Sequence, residues 1–380
     1  MLILSAIAGI AIILLILLDA FETVVLPRRV TRHFRLTAWF YRNTWRPWAR
    51  LSQRIKSPAR QEAFLGYFGP LSLIFLLAFW ALGLIFGFAL LQYGAGQHMR
   101  LANEPVTFWT VLYSSGETFF TLGYGDVVPI SRSARALAVL EAGMGFAFLA
   151  VVIGYLPTIY SVFSKREIEI SLLDARAGSP PTAAELLARL GGCPQQTVLD
   201  QILRDWERWA AEVLESHLSY PVLSFFRSQH NNQSWLGALT IILDATALMM
   251  AGIEGIRDEQ AKITFAMARH AVVDLAQVVN ARYDPRVHDR LPPRELARMR
   301  QELVERGLKP RDDARANEKL AQLRAMYEPY AQAIARNLFI SLPPWIHSEK
   351  RKDNWQAGPW DRAIQARSLG ERAQVMDEHF

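Results

Sequence analysis

The chain predicts an all-α membrane protein, and three observations lead there. Residues 2–18, 67–93 and 136–163 form three long apolar segments, the last carrying only Glu141 as a charge. Each can cross a hydrocarbon core of about 30 Å, which takes roughly 20 helical residues. Beyond Ser164, apolar residues return every three or four positions, the period of helices with one buried face, while strand-like alternation is scarce. A length of 380 residues exceeds one ordinary domain. Composition divides it into an N-terminal span (1–26), a basic segment (27–64), a paired-helix membrane domain (65–163) and a helical cytoplasmic domain (164–380).

The first span runs unbroken to Asp19. A cleaved leader carries its basic residues ahead of the apolar run and a small-residue site after it. Here Asp19 and Glu22 follow and the basic cluster lies downstream, so the segment is read as an anchor. Charge then orients it. Residues 1–64 carry +7, residues 65–163 carry −1 and the remainder is neutral, with all of the excess between Arg28 and Arg60. Basic loops stay in the cytoplasm. The N-terminus is therefore expected outside, the second span runs outward, the third returns and the C-terminal domain is cytoplasmic. A membrane accounts for the basicity, and no nucleic-acid partner is expected. The single cysteine, Cys193, excludes an intrachain disulfide and suits a reducing compartment.

In the basic segment Arg28, Arg29, Arg32 and Arg35 precede Trp39, Phe40, Tyr41, Trp45 and Trp48. Arginines interleaved with aromatics suit a helix lying in the headgroup plane, with anionic lipids as partners. The spacing of Arg29, Arg32 and Arg35 also tempts a voltage-sensor reading, but a sensor holds its arginines inside a helical bundle and only one span precedes these. A plain cytoplasmic linker is the third reading.

Between the second and third spans, residues 108–120 suit a short aromatic-rich helix, and Thr121, Leu122, Gly123, Tyr124, Gly125 and Asp126 follow it. Glycine lacks a Cβ and reaches backbone angles closed to other residues. Such a segment can aim successive carbonyls at one axis, which an ordinary strand cannot, and the Thr121 hydroxyl adds another oxygen. Leu122 and Tyr124 are expected to turn away and pack behind.

This string, set between two apolar spans, resembles the selectivity filter of potassium channels. The resemblance covers roughly residues 67–163 and implies a two-helix pore with a re-entrant loop. It implies that oxygens of Thr121, Leu122, Gly123, Tyr124 and Gly125 replace the hydration shell of a potassium ion. It implies a homotetramer, since each chain carries one filter string and a ring needs four. In the family a pore-helix carboxylate often pairs through a shared proton or water with the aspartate outside the filter; Glu117 and Asp126 have that spacing, and one of them is expected to hold a proton. Tyr113 and Ser114 stand where many relatives carry tryptophans, and Tyr113 joins Glu117 and Asp126 as filter support.

The third span contains Gly143, Gly145 and Gly154, with Pro157 near its end. The family places a hinge glycine about twenty residues past the filter, which is where Gly145 stands relative to Gly125. Glycine and proline mark bends, and small residues also let helices approach closely, so hinge and packing both stay open. Tyr155, Pro157, Tyr160 and Phe163 are candidates for a cytoplasmic constriction. Glu141 either tunes cation occupancy or braces the filter from behind.

In the C-terminal domain Leu199, Ile202, Leu203, Trp206, Trp209, Val213 and Leu214 mark one helical face. Further helices are expected over residues 236–252, 259–280, 293–305 and 315–338. Residues 236–253 are apolar enough for a fourth span apart from Asp244, but their flanks lack charge asymmetry and a buried core helix is expected. The polar string with His217, Tyr220, Arg227, His230, Asn231, Asn232 and Gln233 either forms a pocket for a ligand or partner or supplies caps and buried hydrogen bonds; it has no zinc-ligand spacing. His270 and Asp274 read as a local pair. No Gly-x-Gly-x-x-Gly follows a strand, and no nucleophile elbow or paired-carboxylate signature occurs, so no enzyme is expected. The expectation is a potassium-selective channel of a bacterial inner membrane with potassium as its only bound ion, gated at the inner helix under the influence of the tail. The alternatives are a membrane-anchored sensor with a vestigial pore and a subunit of a potassium-uptake system.

Overall fold

The computed structural model describes residues 1–26, 35–96, 99–101, 105–190, 196–229, 233–284, 288–347 and 360. It is mostly helical and divides into two compact units, one of residues 1–54 and 67–161, the other of residues 55–66 and 162–380. Arg28, Arg29, Arg32, Cys193, His230, Asn231 and Asn232 lie outside the described residues.

The first unit is built on α1 (Leu2–Ala20), which continues through a π-helical turn (Phe21–Val25), and α4 (Phe68–Gly94). They pack backbone to backbone. A Cβ on Gly9 would stand 2.6 Å from the Gly87 carbonyl oxygen, and one on Gly94 would stand 2.4 Å from the Ala6 nitrogen. Between lipid-soluble helices, attraction comes from such close packing rather than from water exclusion. The second device is polar. Asp19, fully buried, accepts hydrogen bonds from the Thr37 hydroxyl (2.6 Å), the Thr37 amide (3.1 Å) and Trp80 Nε1 (3.0 Å). These tie α1 and α4 to α2 (Leu36–Ser52), whose buried Phe40, Tyr41, Trp45 and Ala49 recur at helical spacing. The Phe40 and Phe79 rings meet at 6.0 Å, tilted by 37°, and Trp45 edges against Phe68 at 4.9 Å.

The short helix α5 (Phe108–Phe119) follows, and α6 (Arg132–Ala177) is one helix of 46 residues, about 69 Å at 1.5 Å per residue. Two three-residue strands depart from a purely helical reading. β1 (Met99–Leu101) pairs antiparallel with β2 (Val127–Pro129), Leu101 opposite Val127. Each is too short to show alternation, and the pair exists only because distant segments meet.

The second unit contains α3 (Pro58–Gly66), α7 (Ala183–Leu190), α8 (Gln196–Ser219), a 3₁₀ turn (Pro221–Phe225), α9 (Trp235–Gly252), α10 (Glu259–Val278), α11 (Pro293–Glu305), α12 (Ala314–Ala325) and α13 (Glu328–Leu338). The stripe from Leu199 to Leu214 is buried as its spacing predicts. The helix expected over residues 315–338 is instead two. Pro329 stands in the first turn of α13, where its missing N–H costs nothing; inside a continuous helix it would break the ladder.

Among the described residues, four helices are long and apolar enough to cross a membrane: those within Leu2–Val25, Pro58–Gly94, Arg132–Ala177 and Trp235–Gly252. The last differs from the others in being enclosed by protein. Fifteen of its residues are buried in the core of the second unit, and Asp244 pairs with Arg290 at 2.7 Å. Arg290 also reaches Glu328, which holds Arg324, and both guanidinium groups lie over Trp345 at 5.6 Å. A buried charge is tolerated where it is paired and hydrogen-bonded. This is how an aspartate occupies the most apolar helix of the tail, and it favours the core-helix reading.

Candidate functional site

The segment from Thr121 to Gly125 has an alternating backbone. Thr121, Gly123 and Gly125 have φ of +55°, +70° and +76°, while Leu122 and Tyr124 do not share the positive sign. In an extended strand of one hand, successive carbonyls face opposite sides; reversing the hand at every second residue turns them toward the same side. A Cβ on Gly123 or Gly125 would meet nothing within 4 Å in the single chain, where glycine is needed for its angles.

Helix α5 launches this segment. Thr107 and Thr110 cap its start reciprocally, each side chain accepting from the other's backbone amide. At its end the Leu122 amide donates to the Glu117 carbonyl (2.9 Å) and the Thr121 amide to the Thr118 carbonyl (3.1 Å). These two bonds make a Schellman ending, in which the left-handed residue is normally glycine. Here it is Thr121. A β-branched residue held in that region carries a cost of order 1–3 kcal/mol, and such strain collects at functional sites.

The far end of the segment is fixed as well. The buried Glu117 carboxylate accepts from the Gly125 amide at 3.1 Å. Asp126 accepts from the Val127 amide at 3.0 Å and from the Tyr113 hydroxyl at 3.5 Å. Glu117 and Asp126 thus serve different donors rather than bonding each other directly. The β1–β2 pair begins at the next residue. Leu122 and Tyr124 are exposed within the single chain.

Behind the segment, α6 grips α5 twice. Glu141 is fully buried; one of its carboxyl oxygens meets the Ser115 hydroxyl and the other accepts from Gln92 Nε2 at 2.7 Å. Ser115 also donates to the Ile85 carbonyl at 2.7 Å. One hydroxyl has one proton to give, so both Ser115 contacts are hydrogen bonds when Glu141 supplies the proton for the other. Of the two roles open to Glu141, this geometry is that of a brace. One turn on, a Cβ at Gly145 would stand 1.9 Å from the Phe119 carbonyl oxygen, whereas Gly143 and Gly154 face open space. Gly145 is therefore a close-packing residue. Pro157 lies within α6, Tyr155 is buried and Tyr160 exposed. An apolar cavity of about 440 Å³ is lined by α4, α6 and Phe119, Phe120 and Thr121.

Of the basic residues singled out in sequence, Arg35 is described. It stands at the N-terminal boundary of α2 with its guanidinium 3.9 Å from Glu22.

The polar string of the tail divides. His217 is fully enclosed, with Nδ1 2.8 Å from the Val213 carbonyl and Nε2 3.4 Å from Arg166. Burial, helped by the Arg166 charge, pushes its pKa down to about 3, so it is neutral. Arg227 and Gln233 instead line a cavity of about 870 Å³. His270 and Asp274 are 4.0 Å apart at the surface. Asp19, Gln92 and Ser115 escaped sequence reasoning as site residues, and the signal for each was faint: a polar side chain within or beside an apolar run.

Residues 74–161 match the ion channel family. The chain is 24% identical over 238 residues to an uncharacterized membrane protein of Bacillus subtilis, YdjJ, covering 61% of this chain and 68% of that protein. No solved structure matches.

Proposed function

We propose that the chain is one subunit of a homotetrameric, potassium-selective channel of a bacterial inner membrane. The family match over residues 74–161 supports ion channel activity and the relative supports a membrane location. Selectivity, assembly and gating are the finer reading. The observation that carries them is the alternation of hand at Thr121, Gly123 and Gly125, which supplies a row of backbone oxygens able to replace the water around a cation. One row coordinates an ion from one side only, so four copies around an axis complete the site. The negative end of the α5 dipole adds to the attraction for a cation.

In this reading α4 and α6 are the outer and inner helices, the N-terminus is outside and the tail is cytoplasmic. Gly143 and Gly154, free of close neighbours, are where α6 bends, while Tyr155, Pro157 and Tyr160 narrow its cytoplasmic end. The arginines ahead of α2 rest on anionic lipids. Ions move down their gradient with no coupled chemistry and no cofactor other than potassium.

Purified protein in potassium-loaded liposomes tests the proposal. Efflux into potassium-free medium, abolished by Gly123→Ala, is expected. Liposomes no leakier than empty ones, with tetramers present, would refute it.

A further inference from the structure

The 870 Å³ cavity of the second unit is a site for an amphipathic anion, we infer, and its occupancy is read by the two helices proposed to form the pore. The volume falls in the range of small-molecule pockets. Its walls are mostly apolar and stiff: Leu65, Ile170, Leu173 and Ile241, with prolines at 58, 180, 181, 343 and 344. Against this apolar lining stand a few polar groups. Arg227, 9% exposed at its side chain, lies in the wall with Glu62, and Arg336, paired at 3.8 Å with Asp284 outside the lining, is the other charged group there. Gln233 lines the same cavity and holds a buried side-chain oxygen without a hydrogen-bond partner. A half-turn of its amide offers N–H in place of O.

Arg227 is preset for an acid group. Its guanidinium is positioned by the Phe339 carbonyl (3.1 Å) and the Leu338 carbonyl, and it holds the Glu62 carboxylate at 3.1 Å. Glu62 is 40% exposed, so that ion pair is weak and open to exchange. A ligand carboxylate or phosphate takes the place of Glu62 on the guanidinium fork, which matches such groups in two-pronged fashion. Its apolar body lies along Leu65, Ile170 and Ile241.

The exchange has a direct mechanical reading. Glu62 belongs to α3, which ends at Gly66, and α4 begins at Phe68. Ile170 and Leu173 belong to α6. Binding therefore frees the segment that leads into the outer helix while filling the space beside the cytoplasmic extension of the inner one. The regulatory half of this inference rests on the channel reading; the binding half does not.

The test separates them. Octanoate, octylamine and octanol are titrated calorimetrically into full-length protein held in amphipol. Octanoate is expected to bind once per chain and octylamine not at all. Ala59→Trp, an exposed change at the cavity wall, should weaken octanoate binding tenfold or more; Glu62→Gln, which removes the competitor of the ligand, should tighten it severalfold. Equal binding of octylamine or octanol, or octanoate binding unchanged in Ala59→Trp, overturns the site. Potassium efflux from liposomes is then compared with and without octanoate. A change in wild type that Ala59→Trp abolishes supports regulation, and binding without any change in efflux overturns it. If no condition yields efflux, the channel reading fails while the binding result stands.

Discussion

The Glu117 carboxylate holds the backbone amide of Gly125 at 3.1 Å, and through that bond the last turn of α5 fixes the outer end of the segment its own C-terminus begins. Thr121 and Leu122 are bonded to that same turn at the inner end. The carbonyls between are suspended from one rigid helix.

Glu117→Ala removes the buried acceptor of the Gly125 amide, and a buried donor left without a partner costs about 1–3 kcal/mol. Bilayer recordings should show conduction that is briefer by tenfold or more and less selective. Glu117→Gln keeps a side-chain carbonyl for the Gly125 amide and should fall between Glu117→Ala and wild type.

Thr121→Gly relieves the left-handed strain at the end of α5 and should raise the melting temperature of the protein slightly, by about 1 kcal/mol of stability. It should also cost selectivity, because the hydroxyl is lost. Paired melting and reversal-potential measurements check this: a strained threonine retained only for packing would lose stability on substitution and leave selectivity intact.

Gly145→Ala drives a methyl group into the Phe119 carbonyl and should prevent assembly or lower the melting temperature sharply, whereas Gly143→Ala, facing open space, should assemble normally. Size-exclusion chromatography distinguishes them. Glu141→Gln keeps partners for Ser115 and Gln92 and should resemble wild type; Glu141→Ala leaves Ser115 its bond to the Ile85 carbonyl but takes the acceptor from Gln92 Nε2, and should cost about 1–3 kcal/mol.

His217 gives a pH dependence with a definite sign. Its pKa lies near 3 in the folded chain and near 6.5 when unfolded. Its stabilising contribution is present above the unfolded value and is lost as pH falls through the window between the two. At pH 5 the loss is about 2 kcal/mol. The melting temperature should therefore drop between pH 7 and pH 5 and drop less in His217→Gln.

Local signals carried much of this fold. The spans, α5 and the stripe from Leu199 to Leu214 follow from runs and periods that lie within one helix. The string from Thr121 to Gly125 was legible because its glycines announce unusual backbone angles. What stayed hidden depends on residues far apart in sequence. Asp19 meets Trp80 61 residues away, and Glu141 meets Gln92 49 residues away and Ser115 26 away. Nothing in a linear string says that Gly145 touches Phe119 while Gly143 touches nothing. The break at Pro329 was readable and follows from the missing proline N–H; the counterion of Asp244 was not, since Arg290 lies in a loop 46 residues on.

The most direct measurement is the reversal potential of reconstituted protein with potassium on one side of the bilayer and sodium on the other. Alternating carbonyls in a fourfold ring predict a potential close to that of a membrane permeable to potassium alone, collapsing toward zero in Gly123→Ala or Gly125→Ala. A wild-type potential near zero, or one that either alanine leaves unchanged, would contradict the account.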